Sequence, residues 1–270
     1  MPELPEVEVT RLGLLPYLQG KRIHALIVRR HDLRWPIPQQ LPERLAQQRI
    51  ECLERRAKYL LLATARGSAL IHLGMTGSLR ILESPGKPGV HAHWDLQLED
   101  GRVLRYTDPR RFGCLLWQAP GQLHPLLAKL GPEPLSEAFT GELLWQGSRR
   151  RKVAVKVFLM NQSNVVGVGN IYASEALFAA GINPARAAGG ISRKSYLRLA
   201  AAVRDTLRQA IRCGGTTLRD FHQADGQAGY FYQELSVYDR QGQACRHCGT
   251  AIRQRRLGQR ASYYCPHCQT

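Results

Sequence analysis

The strongest constraint on the fold lies near the carboxyl end of the chain, where four cysteines stand in two closely spaced pairs. Two residues separate Cys245 from Cys248, two separate Cys265 from Cys268, and sixteen lie between the pairs. Four thiolates in this pattern can close a tetrahedral zinc site without an open coordination position, which is the structural type. An iron–sulfur site or two disulfides are the alternatives. The spacing predicts a zinc β-hairpin with one structural Zn²⁺.

Basic residues dominate this segment and the whole chain. No Asp or Glu follows Asp239, whereas the cysteine region holds six arginines, namely Arg240, Arg246, Arg253, Arg255, Arg256 and Arg260. The formal net charge of the protein is +17. Such an excess indicates a polyanionic partner, most often nucleic acid, although binding to ribosomes or membrane surfaces gives a similar balance. An arginine-rich hairpin is expected to contact phosphates or enter a groove. The alternative is a solvated basic surface.

The remaining composition is that of an ordinary globular protein. No run of about 18 apolar residues occurs, so we predict no membrane span. Acidic residues stand near the start, where a signal peptide has basic ones, so we expect a cytoplasmic rather than a secreted protein. Cys52, Cys114 and Cys213 stand alone and are expected to be reduced thiols in the core.

The pattern of apolar and polar residues changes twice along the chain. Residues 5–18 have the apolar spacing of a short helix, with Pro16 in its last turn. Short apolar or alternating runs then recur from about 21 to 118, separated by turn signals such as Asp100-Gly101, which predicts an antiparallel sandwich or barrel. A Pro-containing stretch follows, and from Ser136 onward the pattern is helical.

The first residues suggest covalent chemistry. Removal of the initiator methionine would leave Pro2 as the N-terminus, and its secondary amine would attack an aldehyde carbon to form an iminium, an electron sink. An α-amino group has a pKa near ~8, so much of it is nucleophilic at neutral pH. Glu3 stands beside it as a proton donor and acceptor. The alternative is that Pro2 and Pro5 only begin a helix, and that the negative charges of Glu6 and Glu8 stabilise the positive N-terminal end of that helix.

A second candidate site is the glycine pair before a predicted helix, Gly167-Val168-Gly169-Asn170. Glycines allow the backbone close to an anion, and the free N–H groups of a helix start donate to phosphate oxygens. Asn170 adds a side-chain donor, and Arg151 and Lys156 add positive charge nearby. The alternative is an ordinary helix start.

A third group of candidates lies on turns. Lys58 opens a strand-like run as a phosphate contact, a general acid or base, or an exposed strand lysine. Met75 stands in a glycine-flanked turn, and Arg110 and Phe112 share another. Apolar side chains on loop tips can wedge a base stack, and an arginine can occupy a vacated base position. Singly these are ordinary core or surface residues, but together in a basic protein they favour one that bends DNA and extrudes a base.

With these residues collected, the chain resembles the bacterial formamidopyrimidine-DNA glycosylase family, repair enzymes for oxidised purines. The resemblance covers nearly all of the 270 residues. It rests on the zinc finger and on six motifs: Pro-Glu-Leu-Pro-Glu-Val-Glu at 2–8, Arg-Arg-Ala-Lys-Tyr-Leu at 55–60, His-Leu-Gly-Met at 72–75, Tyr-Thr-Asp-Pro-Arg-Arg-Phe-Gly at 106–113, Gly-Val-Gly-Asn-Ile-Tyr-Ala-Ser-Glu at 167–175 and Gly-Gly-Thr-Thr-Leu at 214–218.

The resemblance implies an α+β multidomain protein. It implies an N-terminal helix plus antiparallel β-sandwich catalytic domain over 1–130, a hinge over 131–148, a helical DNA-binding domain with a helix–two-turn–helix element over 149–234, and a zinc finger over 235–270. The expected partner is damaged double-stranded DNA, bound by a monomer in the bacterial cytoplasm.

The resemblance also implies roles for individual residues. Pro2 would be the Schiff-base nucleophile at the sugar C1′, Glu3 its acid/base partner, Lys58 an aid to β-elimination and Arg260 a support for δ-elimination. Expected DNA contacts are the three void-filling residues Met75, Arg110 and Phe112, together with His91, Arg151, Lys156, Asn170 and Arg219. Glu175 and Thr217 would lie at the lesion pocket, and the loop around 217–230 would cover the flipped base.

Some positions depart from the family pattern. Arg219 stands where lysine is common, and Asn161 stands where an acidic residue is usual. The related endonuclease VIII group shares Pro2 and Glu3 but favours oxidised pyrimidines, whereas Leu4 and the void-filling set resemble the purine-lesion branch. We therefore expect a bifunctional glycosylase/AP lyase for 8-oxoguanine and formamidopyrimidines. The alternatives are an endonuclease VIII-like enzyme and a non-catalytic zinc-finger DNA-binding protein.

Overall fold

A computed structural model describes residues 2–216 and 231–270, which form two compact units. Unit 1 consists of Met1–Ala128 and Cys213–Tyr232, and unit 2 of Lys129–Arg212 and Gln233–Thr270. Thr217, Arg219 and the loop 217–230, for which the sequence predicts roles, lie outside the described residues. Within the described ranges, no helix has both the length and the apolar character needed to cross a bilayer.

Unit 1 is built on two four-stranded antiparallel sheets. The eight strands are β1 (Ile23–Val28), β2 (Cys52–Arg56), β3 (Tyr59–Thr64), β4 (Gly67–His72), β5 (Ser78–Leu82), β6 (Ala92–Leu98), β7 (Val103–Thr107) and β8 (Cys114–Gln118). One sheet has the order β1-β6-β7-β5 and the other β2-β3-β4-β8. All neighbouring strands pair antiparallel, which confirms the predicted sandwich.

Side chains from both sheets share one hydrophobic core with the first helix, α1 (Leu4–Leu18). A short helix, α2 (Leu41–Leu45), adds Leu41 and Leu45 to this core, and α3 (Pro125–Ala128) ends the first part of unit 1. Pro16 lies inside the last turn of α1. The helix nevertheless continues to Leu18, because Leu14 and Leu18 are fully buried in the core and hold that turn in place.

Unit 2 contains the helices α4 (Gly141–Ser148), α5 (Val155–Met160), α6 (Asn170–Ala179) and α7 (Arg193–Arg212). The helix α7 packs against α4 and α6. Its buried residues recur at helical spacing, as in Leu199, Val203 and Leu207, because one face of an amphipathic helix meets the core. Two turns, closed by bonds such as Asn164 N–H to Asn161 C=O, separate α5 from α6 and confirm the predicted helix–two-turn–helix element.

The end of unit 2 is a hairpin of β9 (Arg253–Leu257) and β10 (Arg260–Tyr264), which pair antiparallel. Gly258 and Gln259 form the two-residue loop, and both have positive φ, 52° and 63°. Two successive positive φ angles are typical of a type I′ turn, whose twist matches that of the strands. The predicted zinc β-hairpin is therefore present, and Arg260 is its first residue after the turn.

Candidate functional site

The N-terminus is held by the first turn of α1. Glu3 is the N-cap residue of this helix and forms a capping box with Glu6, whose Oε2 accepts from the Glu3 backbone N–H at 2.8 Å. Pro2 and Glu3 are buried, and Glu3 is only 2% exposed. The capping box satisfies N–H groups that have no partner inside the helix and fixes the direction of the chain before it. The backbone that carries Pro2 and Glu3 is thereby fixed to α1.

The same carboxylate binds a segment that is distant in sequence. Oε1 of Glu6 accepts from both the backbone N–H and the hydroxyl of Thr216, each at 2.9 Å. Gly215, which has φ +81°, lies so close that an added Cβ would be 3.1 Å from the same oxygen. One buried carboxylate thus links the N-terminal turn to Gly215-Thr216. Thr217, the predicted lesion-pocket residue, follows directly but lies outside the described range.

Lys58 lies in the tight turn between β2 and β3 and is buried. Ala57 before it has φ +55°, and its carbonyl accepts from Arg55 at 3.0 Å. Arg55 also donates to Glu8 of α1 at 2.8 Å, so the turn is tied to that helix. Burial alone would raise the pKa of Glu8, but the hydrogen bonds from Arg11 and Arg55 outweigh it and lower the pKa.

His72, at the end of β4, is paired in register with Tyr59, the residue after Lys58. Its Nδ1 accepts from the Gly74 backbone N–H at 2.9 Å, so in the neutral ring the proton is on Nε2. Burial and then the charge of Lys58 lower the pKa of His72 to about 4. His72 is therefore a neutral hydrogen-bond donor at physiological pH. In the sequence His72 stands in the His-Leu-Gly-Met motif, with no predicted role of its own.

The void-filling candidates stand on two loops joined by a buried carboxylate, Asp108. Its Oδ1 accepts from the Thr76 hydroxyl at 2.6 Å and from the Arg110 backbone N–H at 3.2 Å. Its Oδ2 accepts from the Tyr106 hydroxyl at 3.0 Å and from the Gly113 N–H at 2.9 Å. Asp108 therefore holds together the loop that contains Met75 and the loop that contains Arg110 and Phe112.

Glycines allow the two loops to meet backbone to backbone. A Cβ added at Gly74 would lie 2.4 Å from the Gly113 nitrogen, and one at Gly113 would lie 1.8 Å from the Tyr106 hydroxyl. No larger residue fits at Gly74 without movement of the opposite loop, or at Gly113 without movement of Tyr106 and the end of β4. The contact fixes the positions of Met75 and Phe112 relative to each other.

The tips of these loops are exposed. Phe112 is 43% exposed, which is unusual for an aromatic side chain, and the Arg110 guanidinium lies over its ring at 4.8 Å. Met75 is half-buried and His91 is exposed. The carbonyl of His91 accepts from the Asp108 N–H at 3.0 Å, so its loop is fastened to the same centre. The structure thus gathers four predicted DNA contacts around Asp108.

In unit 2, Lys156 is buried rather than exposed to a ligand. The residue is 1% exposed, and its ammonium donates to Asn170 Oδ1 at 2.7 Å, to the Ala261 carbonyl at 3.0 Å and to the Ser262 hydroxyl at 2.9 Å. These bonds join α5, the start of α6 and β10. The predicted DNA contact of Lys156 stays a prediction, because the structure gives its ammonium three acceptors within the protein.

Glu175 on α6 is also buried among protein donors. It accepts backbone N–H bonds from Ser236 at 2.8 Å, Val237 at 3.0 Å and Tyr238 at 2.8 Å. Burial raises the pKa of Glu175, and the three N–H donors oppose that rise. Its carboxylate fixes the segment before the zinc hairpin, while its predicted place at the lesion pocket stays a prediction.

Two arginines of unit 2 with predicted roles, Arg151 and Arg260, are exposed. Arg151 follows α4, and its backbone is held on both sides, by N–H donation to Ser148 at 3.0 Å and by the Gly189 N–H to its carbonyl at 2.8 Å. Arg260 extends from β10 next to the type I′ turn. Both guanidinium groups are therefore displayed by rigid backbone, which lowers the entropy lost on binding a phosphate.

The four cysteine sulfurs lie within 4.8 Å of one another. Sulfurs about 2.3 Å from a central zinc ion would be about 3.8 Å apart in a tetrahedron. The Cys245–Cys268 and Cys248–Cys265 sulfurs are 3.9 Å and 3.5 Å apart, which fits that geometry. Phe178, Val237 and Ile252 pack beside them in a small core. The set is a closed structural site for one Zn²⁺, as predicted.

Family models match three successive parts of the chain. The formamidopyrimidine-DNA glycosylase N-terminal domain matches residues 1–115. The H2TH domain of the same glycosylase matches 130–222, and a zinc finger found in FPG and IleRS matches 242–270. Formamidopyrimidine-DNA glycosylases of Stenotrophomonas maltophilia K279a and Pseudomonas aeruginosa LESB58 are 60% and 58% identical over 269 residues, with full coverage of each chain.

Solved structures agree. The MutM (FPG) protein of Thermus thermophilus has a TM-score of 0.89 at 38% identity and covers 99% of this chain and 98% of its own. A Lactococcus lactis FPG mutant in complex with a Fapy-dG-containing DNA has a TM-score of 0.92 at 31% identity, with 100% coverage of both chains. The L. lactis Fpg bound to abasic-site DNA gives 0.91 at 30%, with 99% coverage of both. Sequence and fold agree over the full length, and the chain belongs to the formamidopyrimidine-DNA glycosylase family.

Proposed function

We propose that this protein is a bifunctional DNA glycosylase and AP lyase of base excision repair that removes oxidised purines, namely 8-oxoguanine and formamidopyrimidines. Family membership supports this assignment, as do relatives crystallised with Fapy-dG and abasic-site DNA. The observation that carries the mechanism is the capping box that holds Pro2 and Glu3 at the start of α1. That frame presents a nucleophile and an acid/base side by side.

Base removal begins with the Pro2 nitrogen, freed by removal of the initiator methionine. The amine attacks C1′ of the flipped nucleotide, the N–C1′ bond forms, and the bond from C1′ to the purine breaks. The purine leaves with a proton, and opening of the sugar ring gives an iminium. We assign the proton transfers to Glu3, which is adjacent to Pro2 and fixed in position by Glu6.

Strand cleavage follows from the acidity that the iminium gives to the sugar. Removal of a C2′ proton expels the 3′ phosphate, and a second elimination expels the 5′ phosphate. Water then releases the unsaturated aldehyde and restores Pro2. We assign Lys58 to support of the first elimination and Arg260 to the second, since both are cations suited to the leaving phosphates. The zinc ion supplies only the shape of the hairpin that carries Arg260.

DNA is held by contacts from each unit. In unit 1, Met75, Arg110 and Phe112 fill the space left by the flipped nucleotide, and His91 binds the backbone. Exposed Phe112 stacked with Arg110 suits insertion into a base stack. In unit 2, Arg151 and Asn170 bind phosphates, and Asn170 does so from the N-terminus of α6, where free N–H groups favour an anion.

We further propose that the protein acts as a monomer in the bacterial cytoplasm, as expected of a repair enzyme whose substrate is chromosomal DNA. The functional division we propose is 1–130 for catalysis, 131–148 as hinge, 149–234 for DNA binding through the helical domain, and 235–270 for the zinc finger. Arg219, Thr217, Lys156 and Glu175 complete the proposed set of DNA-binding and lesion-pocket residues.

Borohydride trapping tests the chemistry. Wild-type protein incubated with an 8-oxoguanine:C duplex and borohydride is expected to form a covalent adduct, because reduction fixes the iminium. Pro2→Gly should trap far less. A non-catalytic zinc-finger protein would bind the duplex without any adduct, and a Pro2→Gly variant with full lyase activity would overturn the assignment of the nucleophile.

A comparison of substrates tests the lesion class. Single-turnover excision should be faster on 8-oxoguanine opposite cytosine than on thymine glycol, because the void-filling set resembles that of the purine-lesion branch. Faster excision of thymine glycol would favour an endonuclease VIII-like enzyme instead.

A further inference from the structure

Arg34, which has no role in the proposed site, lies next to that site on a segment whose backbone is held in place. Arg34 is exposed, and its guanidinium lies over the Trp35 ring at 4.6 Å. Its backbone N–H donates to the Gly113 carbonyl at 3.1 Å, in the loop that carries Arg110 and Phe112. The position of Arg34 is therefore set by the loop proposed to enter the DNA.

The segment around Arg34 is itself a closed turn. The Ile37 N–H donates to the His31 carbonyl at 2.8 Å, and Asp32 and Pro36 form an isolated β-bridge. Ile37 is buried in the core of unit 1. Arg34 and Trp35 thus stand at the tip of an anchored turn, where an exposed cation loses little entropy when it binds a ligand.

Arg34 also lies near the end of the second sheet. Tyr59, His72 and Cys114 are cross-strand neighbours there, on β3, β4 and β8. After burial, and after the charge of Lys58, the charge of Arg34 helps to lower the pKa of His72. Burial raises the pKa of Cys114 and of Tyr59, and the charge of Arg34 opposes both. Because the Arg34 backbone is bonded to Gly113, the residue before β8, Arg34 lies beside the sheet edge where the turn of Lys58 leads into β3.

Nothing within the described residues neutralises this cation. Asp32, the nearest acidic residue in sequence, is paired with Arg30 at 2.8 Å. Across residues 2–216 and 231–270, the Arg34 guanidinium has the Trp35 ring as its contact and no hydrogen-bond acceptor or carboxylate. An arginine stacked on an indole keeps its N–H donors free at the ring edge, and these match the oxygens of a phosphodiester.

We propose that Arg34 is a further DNA-binding residue, which holds a phosphodiester of the damaged duplex while Trp35 fixes the guanidinium in the binding orientation. This inference rests on the proposed function, since it takes damaged DNA as the ligand. It adds a phosphate contact on unit 1 between the loop of Phe112 and the turn of Lys58. Arg34 contacts no reacting atom, so it contributes to affinity and position rather than to chemistry.

Salt-dependent binding tests the proposal. Affinity for a duplex that contains a tetrahydrofuran abasic analogue is measured by fluorescence anisotropy over a range of KCl concentrations. Arg34→Gln should reduce the slope of log K against log salt by about 0.9, the value for one phosphate contact, and weaken binding about eightfold at roughly 0.1 M salt. Arg34→Lys should keep the slope and bind less tightly than wild type, because an ammonium does not stack on the ring.

Arg66→Gln is the matched control. Arg66 is exposed in the turn between β3 and β4, at the far end of the hairpin from Tyr59 and His72, about 17 Å away along the strands. Arg66→Gln removes one positive charge, as Arg34→Gln does, and should leave the slope of log K against log salt unchanged. An unchanged slope for Arg34→Gln, or an equal loss for Arg66→Gln, would overturn the proposal.

Trp35→Leu tests the support of the guanidinium. It should weaken binding while the slope is kept, and wild-type affinity in this variant would remove the role given to the ring. The proposed chemistry is judged separately, by borohydride trapping of the wild-type protein. Failure to trap would refute the lyase assignment even if Arg34 sets the salt slope, and normal trapping with an unaltered slope would refute only the Arg34 contact.

Discussion

Replacement of Lys156 by methionine is the sharpest test of how unit 2 is held together. Lys156 is 1% exposed, and its ammonium donates to three acceptors on two other elements, Asn170 on α6 and Ala261 and Ser262 on β10. Methionine has a similar length but no donor, so the change would leave three buried oxygen acceptors without their hydrogen bonds. It would also detach the zinc hairpin from α5 and α6 at this point.

The size of the effect follows from two opposing terms. A hydrogen bond to a charged group contributes about 1.5–3 kcal/mol, so three such bonds are substantial. Release of the lysine from a buried position returns several kcal/mol of desolvation cost. The difference is a loss of about 2–4 kcal/mol, which for a unit of this size lowers its melting temperature by about 5–15 °C.

The assay is a calorimetric or near-UV melt of the zinc-loaded protein, followed by binding of a tetrahydrofuran duplex. Lys156→Met should melt earlier and bind DNA more weakly, because Asn170 and the strand of Arg260 lose their common anchor. Lys152→Met, an exposed neighbour, serves as the control and should melt within about 0.5 kcal/mol of wild type. A Lys156→Met protein that melts with wild type would refute the reasoning, and Lys156→Gln, which retains two donors, should be intermediate.

Three further changes give direct readouts. The pKa of His72 is lowered from 6.5 to about 4, so between these pH values the unfolded chain binds a proton that the folded protein does not, and His72 lowers the free energy of unfolding as pH falls below 6.5. Between pH 7 and pH 5, His72→Asn should therefore lose about 2 kcal/mol less of its free energy of unfolding than wild type does, as measured by urea titration. Equal losses in the two proteins would contradict the assignment. Gly113→Ala places a Cβ 1.8 Å from the Tyr106 hydroxyl and should lower the free energy of unfolding by about 3 kcal/mol or more in the same titration. Gly121→Ala is the control, because its Cβ would meet nothing within 4 Å. It should cost about 1 kcal/mol, because its φ is +69°. Removal of zinc by a chelator should unfold the hairpin and lower DNA affinity, as followed by anisotropy, and readdition of Zn²⁺ should restore both; undiminished binding by protein shown to lack zinc would contradict a structural role for the metal.

Features written locally in the chain were predicted well from sequence. The strand runs follow alternation and turn residues, and the eight strands of unit 1, from Ile23 to Gln118, fall within the predicted range of about 21 to 118. The zinc ligands depend on spacing within one short hairpin. In β2 (Cys52–Arg56), charged residues hide the alternation that marks a half-buried strand.

Features that depend on distant contacts were not predicted. Lys156 stands close to an arginine cluster and looks like a surface cation, and only the arrival of β10, 105 residues later, buries it. Glu6 meets Thr216 across 210 residues. Asp108 lies in the same motif as Arg110 and Phe112, and from sequence only those two residues of the motif were given roles. Burial and pairing of this kind follow from tertiary packing, for which local propensity and periodicity carry no signal.

These buried groups share one physical arrangement. A buried, hydrogen-bonded charge supports each group of side chains proposed to act on DNA: Glu6 holds the backbone of Pro2 and Glu3, Asp108 holds the loop of Arg110 and Phe112, and Lys156 holds the side chain of Asn170. A protein that bends DNA must hold apolar and cationic tips exposed in the free state, and flexible tips would lose in entropy what their contacts gain. Rigid supports remove that loss before DNA arrives. Changes at the supporting residues Glu6, Asp108 and Lys156 should therefore weaken binding to undamaged and lesion-containing duplexes by similar factors. Changes at the exposed tips Arg110 and Phe112 should weaken mainly the bent, lesion-containing complex. Fluorescence anisotropy on matched duplexes with and without the lesion distinguishes the two effects.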